Sequence, residues 1–195
     1  PCMLKQVIKL SALLNLSDDQ SRRLMEEAVH LLGNITEHHT APHITAKLYN
    51  FTGKELYQSD GQFDPYKELK SETNKIALSF YSELKEIINQ QNDPLFMAVR
   101  AAAAGNIIDF GAIDHLALDI EKEIKGINKL TFGIDHIDML RQKLEAAKSM
   151  LYIGDNAGEI VFDKILIETI RKLHPDIHIT FAVRQQPIIN DATMT

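Results

Sequence analysis

The sequence predicts an α/β protein in which a helical N-terminal region packs on a mainly parallel sheet domain that opens near residue 148. Three observations carry that prediction. Over the first two-thirds of the chain, apolar residues recur at three- and four-residue spacing, the period of an amphipathic helix. After Lys148 the pattern changes to two short apolar runs rich in β-branched residues, 150–153 and 177–183. Between them, 159–173 reads as a helix, and a strand–helix–strand unit of this kind crosses over right-handed to give parallel strands.

Taken in order, Leu4, Val7, Ile8, Ser11 and Leu14 mark a first helix, and Leu24, Ala28, Leu31 and Leu32 a second. Ser17, Asp18 and Asp19 supply N-cap candidates for the second, and Gly33-Asn34 supplies its stop. Pro42 opens a short helix that Gly53 closes. Asp64-Pro65 opens the longest helix, which runs to about Gln90 with Ile76, Phe80, Leu84, Ile87 and Ile88 on one side. Asp93-Pro94 starts another over 95–104, with Gly105-Asn106 as its C-cap and four alanines that permit close helix packing. Segments 113–125 and 135–148 read as helices broken by Gly126 and Gly133. The expected division is a helical region over 1–147 and the start of an α/β domain over 148–195. There is no internal repeat and no low-complexity segment.

The composition narrows the function classes. The chain has 195 residues, an apolar fraction of 45% and a net charge of −6, enough apolar surface for a core and too acidic for a nucleic-acid surface. It carries no basic run. The lone Cys2 leaves no internal disulfide and fits a reducing compartment. No signal peptide and no apolar stretch near 18 residues are present, so the expectation is a soluble, cytoplasmic protein with no membrane partner. The chain begins at Pro1 and runs out at 191–195 just as a helix pattern starts. Two strands alone would leave an unprotected edge, so further strands are expected beyond it.

The chemistry concentrates at the two predicted strand ends. The first reads Gly154-Asp155-Asn156-Ala157-Gly158-Glu159, with Asp163 one helical turn beyond Glu159 on the same face. The second reads Arg184-Gln-Gln-Pro187-Ile-Ile-Asn190-Asp191. Strands that deliver polar residues at their carboxyl ends are how an open α/β sheet builds a site. Asp155, Asn156 and Asp191 are all-oxygen donors, a set that suits Mg²⁺ or Mn²⁺ better than Zn²⁺. Glycines allow a tight turn, and the helix N-terminus behind them offers N–H groups to a phosphate. Arg184 can grip phosphate with its fork of donors. The same residues also serve an ordinary βα turn with Asp and Asn as capping groups, and the residues alone leave both readings open. Asn106 and Asp109, after the alanine run, either cap a helix or face a ligand. His30, His38, His39 and His43 have no partner at zinc-finger spacing. No Gly-x-Ser-x-Gly elbow and no Walker loop occur, which argues against a serine hydrolase or a P-loop NTPase.

Three stretches carry a resemblance: Gly154-Asp-Asn-Ala-Gly-Glu-Ile-Val-Phe-Asp163, Arg184-x-x-Pro-Ile-Ile-Asn-Asp-Ala-Thr193, and Ala104-Gly-Asn-Ile-Ile-Asp-Phe-Gly111. In this order they resemble the metal-dependent damage-control phosphatases, long catalogued as domain of unknown function 89, one branch of which is called acidic-residue methyltransferase-like. The resemblance runs along the whole chain, although the family's opening Cys-x-x-Cys is reduced here to Cys2, and the family's later Lys-Gly-x-Gly-Asn-like segment lies outside the sequence.

The resemblance implies a helical region on a Rossmann-like domain whose sheet is incomplete in this chain. It also implies a divalent metal held by Asp155, Asn156 and Asp191, with Mg²⁺ or Mn²⁺ expected and Co²⁺ or Ni²⁺ as substitutes. The substrate would be a small phosphorylated metabolite such as a sugar phosphate, hydrolysed as a phosphomonoester. Asp155, Glu159 and Asp163 are then the candidates for acid, base or nucleophile, and Asn106, Asp109, Arg184 and Asn190 for substrate binding. Two alternatives stand beside it. Gly154-x-x-x-Gly158 between strand and helix is also how S-adenosylmethionine is cradled in a methyltransferase, and a non-enzymatic metal- or nucleotide-binding module would need the turn alone.

Overall fold

The computed structural model describes residues 2–59, 62–106, 126–127, 129 and 131–194. Asp109 and the helix expected over 113–125 lie outside the described residues. The chain forms two compact units, Pro1–Glu68 with Arg184–Thr195, and Leu69–Val183.

In the first unit, α1 (Cys2–Leu13), α2 (Asp18–Gly33) and α3 (Ala41–Phe51) pack in sequence, α1 on α2 and α2 on α3. Their apolar stripes meet in a small core that includes Val7, Leu10, Leu24, Ala28, Ile44 and Leu48. Each large aliphatic group buried there contributes roughly 1.5–3 kcal/mol. Ser17 caps α2 reciprocally: its hydroxyl accepts from the Gln20 N–H at 3.3 Å, and the Gln20 side chain accepts from the Ser17 N–H at 3.0 Å. Pro42 sits in the first turn of α3, as expected.

Gly53 does not close that helix. The chain continues as a π turn, Thr52–Leu56, through the glycine. A Cβ on Gly53 would lie 2.4 Å from Cβ of Phe63, so the residue is small in order to admit a ring rather than to stop a helix.

The second unit holds nearly all of α4 (Lys67–Asn89), with α5 (Pro94–Gly105), α6 (Ile137–Ala146), β1 (Ser149–Ile153), α7 (Glu159–Leu173) and β2 (His178–Ala182). β1 and β2 are parallel, with Ser149 opposite His178 and Ile153 opposite Ala182, as the strand–helix–strand pattern predicts. Asp93 caps α5 by accepting from the Phe96 N–H at 3.0 Å. Arg141 of α6 pairs with the other oxygen of Asp93, and this hydrogen bond holds the carboxyl below its ordinary range.

Leu84 and Ile88 of α4, Leu95, Ala98 and Ala101 of α5, and Ile165 and Ile170 of α7 form the center of the core. The alanine run permits close helix packing, as expected, and the helix it packs on is α7. Gly105 extends it: a Cβ there would stand 3.1 Å from the Phe162 ring. α5 ends at Gly105 with Asn106 as its C-cap, as expected, with right-handed backbone at φ −76°.

The fold is therefore α/β, with a two-stranded parallel sheet among the described residues. No described helix is long and apolar enough to cross a membrane. β1 turns Met150 and Tyr152 to the core. Leu151 and Ile153 are 62% and 73% exposed.

Candidate functional site

The candidate site of the second unit is the turn from β1 into α7. The sheet ladder runs one step past β1, the Gly154 N–H donating to the Ala182 carbonyl at 2.9 Å. A side chain on Gly154 would strike the Phe181 ring, 2.5 Å from its Cζ, so a glycine is needed where the strand ends. Asp155 follows, exposed, and Asn156 is half-buried beside it.

The Asn156 amide nitrogen donates to Asp155 Oδ2 and to Glu159 Oε2, each at 3.3 Å. These two bonds orient the amide, and Oδ1 on its other side has no donor among the described residues. The Asn156 amide oxygen and the Asp155 and Glu159 carboxylates are hard oxygen donors of the kind a divalent cation such as Mg²⁺ takes.

The charge balance of the turn points the same way. Burial is the first cause of a raised Glu159 carboxyl, with the Asp155 charge adding to it. Asp163 is 3% exposed, and burial followed by the Glu159 and Asp155 charges pushes its carboxyl up to about 6. The Tyr152 hydroxyl donates to Asp163 Oδ1 at 2.6 Å, which opposes that rise without cancelling it. The Tyr152 hydroxyl is itself raised, chiefly by burial and then by this bond. Among the described residues, no Lys or Arg pairs with Asp155, Glu159 or Asp163. Negative charge crowded without a cationic partner is a mark of functional sites.

Asp163 shares a helix face with Glu159, as its spacing requires, but it points into the protein and touches Tyr152. It is a buried support of the turn rather than a group at its surface. The N–H groups that were to face a phosphate are largely engaged. The Gly158 N–H donates to Asn74 Oδ1 of α4 at 2.7 Å. The Ile160 and Val161 N–H groups donate to the carbonyls of Asn156 and Gly158. Asn106 is exposed at the end of α5.

The candidates of the first unit lie in the loop after β2. Arg184 Nε donates to Asp191 Oδ2 at 2.7 Å, so the expected phosphate grip and the expected third metal ligand pair with each other. Backbone bonds close the loop around them, Arg184 N–H to the Ala192 carbonyl at 3.0 Å and Asp191 N–H to the Ile188 carbonyl at 2.9 Å. Asn190 is exposed. Ile189 between them has φ 45°, and its N–H donates to the Tyr49 hydroxyl at 3.2 Å.

Among the described residues, no three His, Cys, Asp or Glu side chains gather into a metal-binding group. In the 30–43 stretch, His39 contacts Thr36 at 2.9 Å and Lys47 at 3.3 Å.

Sequence reasoning passed over Tyr152, Asn74, Tyr49 and Phe181. Tyr152 had one visible signal, a hydroxyl inside an apolar strand run, which needs a buried partner. The other three act through residues far away in the chain and left no local mark.

Similar proteins match the chain along its length. An uncharacterized protein of Methanocaldococcus jannaschii is 33% identical over 197 residues, 99% of this chain and 63% of that protein. A damage-control phosphatase of Archaeoglobus fulgidus is 30% identical over 195 residues, 99% of this chain and 65% of its own length. The crystal structure of a DUF89 family protein from Pyrococcus horikoshii superposes with a TM-score of 0.79 at 31% identity, covering 98% of this chain and 65% of that one. This chain thus spans just under two-thirds of the relatives it matches. The model of the damage-control phosphatase ARMT1-like domain matches residues 1–195, the acidic turn and the Arg184–Asp191 loop included, and the chain belongs to that family.

Proposed function

We propose that the protein is a metal-dependent phosphatase acting on small phosphomonoesters, such as sugar phosphates or damaged phosphorylated metabolites. The observation that carries this reading is the acidic turn itself, where the Asn156 nitrogen joins the Asp155 and Glu159 carboxylates and no Lys or Arg pairs with either among the described residues. The names of the family and of the Archaeoglobus relative support the phosphatase class.

Asp155 and Asn156 would hold the cation. Mg²⁺ typically takes only one or two carboxylates from a protein and keeps water and substrate phosphate for the rest, which suits so small a set of side chains. When bound, such a cation polarises the phosphoryl oxygens and screens their charge. The protein's part is to hold Asp155 forward, to keep the Asn156 nitrogen off the cation through Glu159, and to support the turn from below through Tyr152 and Asp163. In the net reaction the ester P–O bond breaks, the oxygen of one water ends in inorganic phosphate, and a proton goes to the alcohol.

The methyltransferase reading rested on Gly154-x-x-x-Gly158, and both glycines have a protein contact that accounts for them, Phe181 at one and Asn74 at the other. The test is release of inorganic phosphate from a panel of phosphomonoesters by the full-length gene product with Mg²⁺, Mn²⁺ or Co²⁺ and with EDTA. Release that requires metal and stops with EDTA is the expected result. No release with any metal sinks the proposal, and saturable S-adenosylmethionine binding without metal would replace it.

A further inference from the structure

We propose that Asn74 is a positioning residue for the acidic turn: its side-chain carbonyl holds the Gly158 peptide and so sets where Asp155, Asn156 and Glu159 stand. The consequence for metal binding rests on the function proposed above; the consequence for the turn does not.

α7 begins without a capping side chain of its own, because its N-cap is Gly158. The first N–H groups of a helix need partners, and here the partner of Gly158 comes from 84 residues earlier, Asn74 Oδ1 at 2.7 Å. Gly158 sits at φ 84°, ψ −54°, a conformation that glycine adopts freely and leaves as freely. An outside bond is what selects one state from the many a glycine visits. The turn needs that restraint because it carries crowded carboxylates that push one another apart.

Asn74 is also out of place in its own helix. Asparagine has low helix propensity, since its side chain competes for nearby backbone groups. The neighboring Thr73 does bond to its own helix, donating to the Leu69 carbonyl at 2.7 Å. Asn74 instead reaches across to the turn, and its amide nitrogen has no partner among the described residues. Half-buried between Thr73 and Ala77, it can be held in place by α4 while it holds Gly158. Support of this kind behind metal ligands changes affinity by about 10- to 100-fold when removed.

The experiment compares wild type, Asn74→Ala and Asn74→Asp as full-length proteins, by hydrogen exchange and by Mn²⁺ titration. Asn74→Ala is expected to speed exchange about tenfold in peptides covering 155–162, with α5 unchanged, and to weaken Mn²⁺ binding by at least about tenfold. Asn74→Asp keeps the acceptor and is expected to restore protection of those peptides. If Asn74→Ala does not fold, Asn74→Ser, too short to reach Gly158, takes its place. Wild-type protection of 155–162 in the variant overturns the proposal, and so does loosening spread evenly over α4, α5 and α7. A wild-type protein that releases no phosphate ends the phosphatase reading, and the exchange measurement decides the role of Asn74 regardless.

Discussion

The turn after β1 pivots on Gly158 at φ 84°, and the loop after β2 pivots on Ile189 at φ 45°. Both carry candidate ligands, and in both a helix side chain catches the N–H of the pivot residue, Asn74 for Gly158 and Tyr49 for Ile189. The reasons for the two catches are opposite. A glycine pays no steric cost at positive φ and must be kept from wandering. A β-branched residue there is strained by roughly 1–2 kcal/mol, and the strain persists only where surrounding contacts over-determine it. The Ile189 loop has such contacts: Pro187 is buried, Arg184 pairs with Asp191, and Arg184 bridges Thr193. One loop is permissive and latched, the other strained and enclosed.

The largest expected effect separates the loops by function. Asp155→Ala removes the most exposed candidate ligand and should abolish metal-dependent phosphate release, and normal turnover in that variant would refute the assignment. Asp191→Ala, measured in the same assay, asks whether the loop with the internal ion pair contributes as well. If its Mn²⁺ affinity equals that of wild type, Asp191 is a structural partner of Arg184 and not a ligand.

A second test uses the buried acid beneath the turn. Asp163 titrates near 6 in the folded protein against 3.8 when unperturbed, so the folded state binds its proton more tightly than the unfolded state does. Its contribution is constant below about pH 4, falls as pH rises from about 4 to 6, and is lowest above that. Asp163→Asn keeps an acceptor for the Tyr152 hydroxyl and removes the charge. It should flatten that part of the stability–pH curve and raise stability at pH 7.5 by about 1–2 kcal/mol, reduced from the full linkage value by solvent screening. Urea denaturation at pH 4.5 and pH 7.5 reads it, and an unchanged slope would show that the carboxyl is ionised throughout.

The two pivots themselves should answer substitution unequally. Gly158→Ala forces a side chain into positive φ and should cost about 1–2 kcal/mol in urea denaturation. Ile189→Gly relieves strain but frees the unfolded chain, so its net effect should stay within about 1 kcal/mol of wild type. Equal losses at both sites would mean that the backbone at Ile189 is unstrained. Tyr49→Phe removes the acceptor for the Ile189 N–H and should cost about 1 kcal/mol, read the same way.

Elements whose signals lie within their own segment form where the sequence predicts them. Helix α7 lies over 159–173 as its apolar period requires, and both strands fall within a residue of their β-branched runs, because these signals are contained in the segments that obey them. Caps at Ser17 and Asp93 likewise act three residues away. The glycines were harder. Gly53 looks like a helix stop in one dimension, yet the chain runs on through it as a π turn with the Phe63 ring against it. Gly105 does end α5 and also makes room for the Phe162 ring.

The sequence by itself determined the α/β class, the order and bounds of the elements around the sheet, and the oxygen-rich stretches at both strand ends. Only the tertiary structure decided what those oxygens do. It buried Asp163 against Tyr152, paired Asp191 with Arg184, turned the Asn156 nitrogen onto its neighbors, and gave the Gly158 N–H to Asn74. Local patterns follow from propensity and period, which neighbors in the chain can express. Burial and hydrogen-bond partnership depend on which helix arrives at the turn, and no window of sequence contains that.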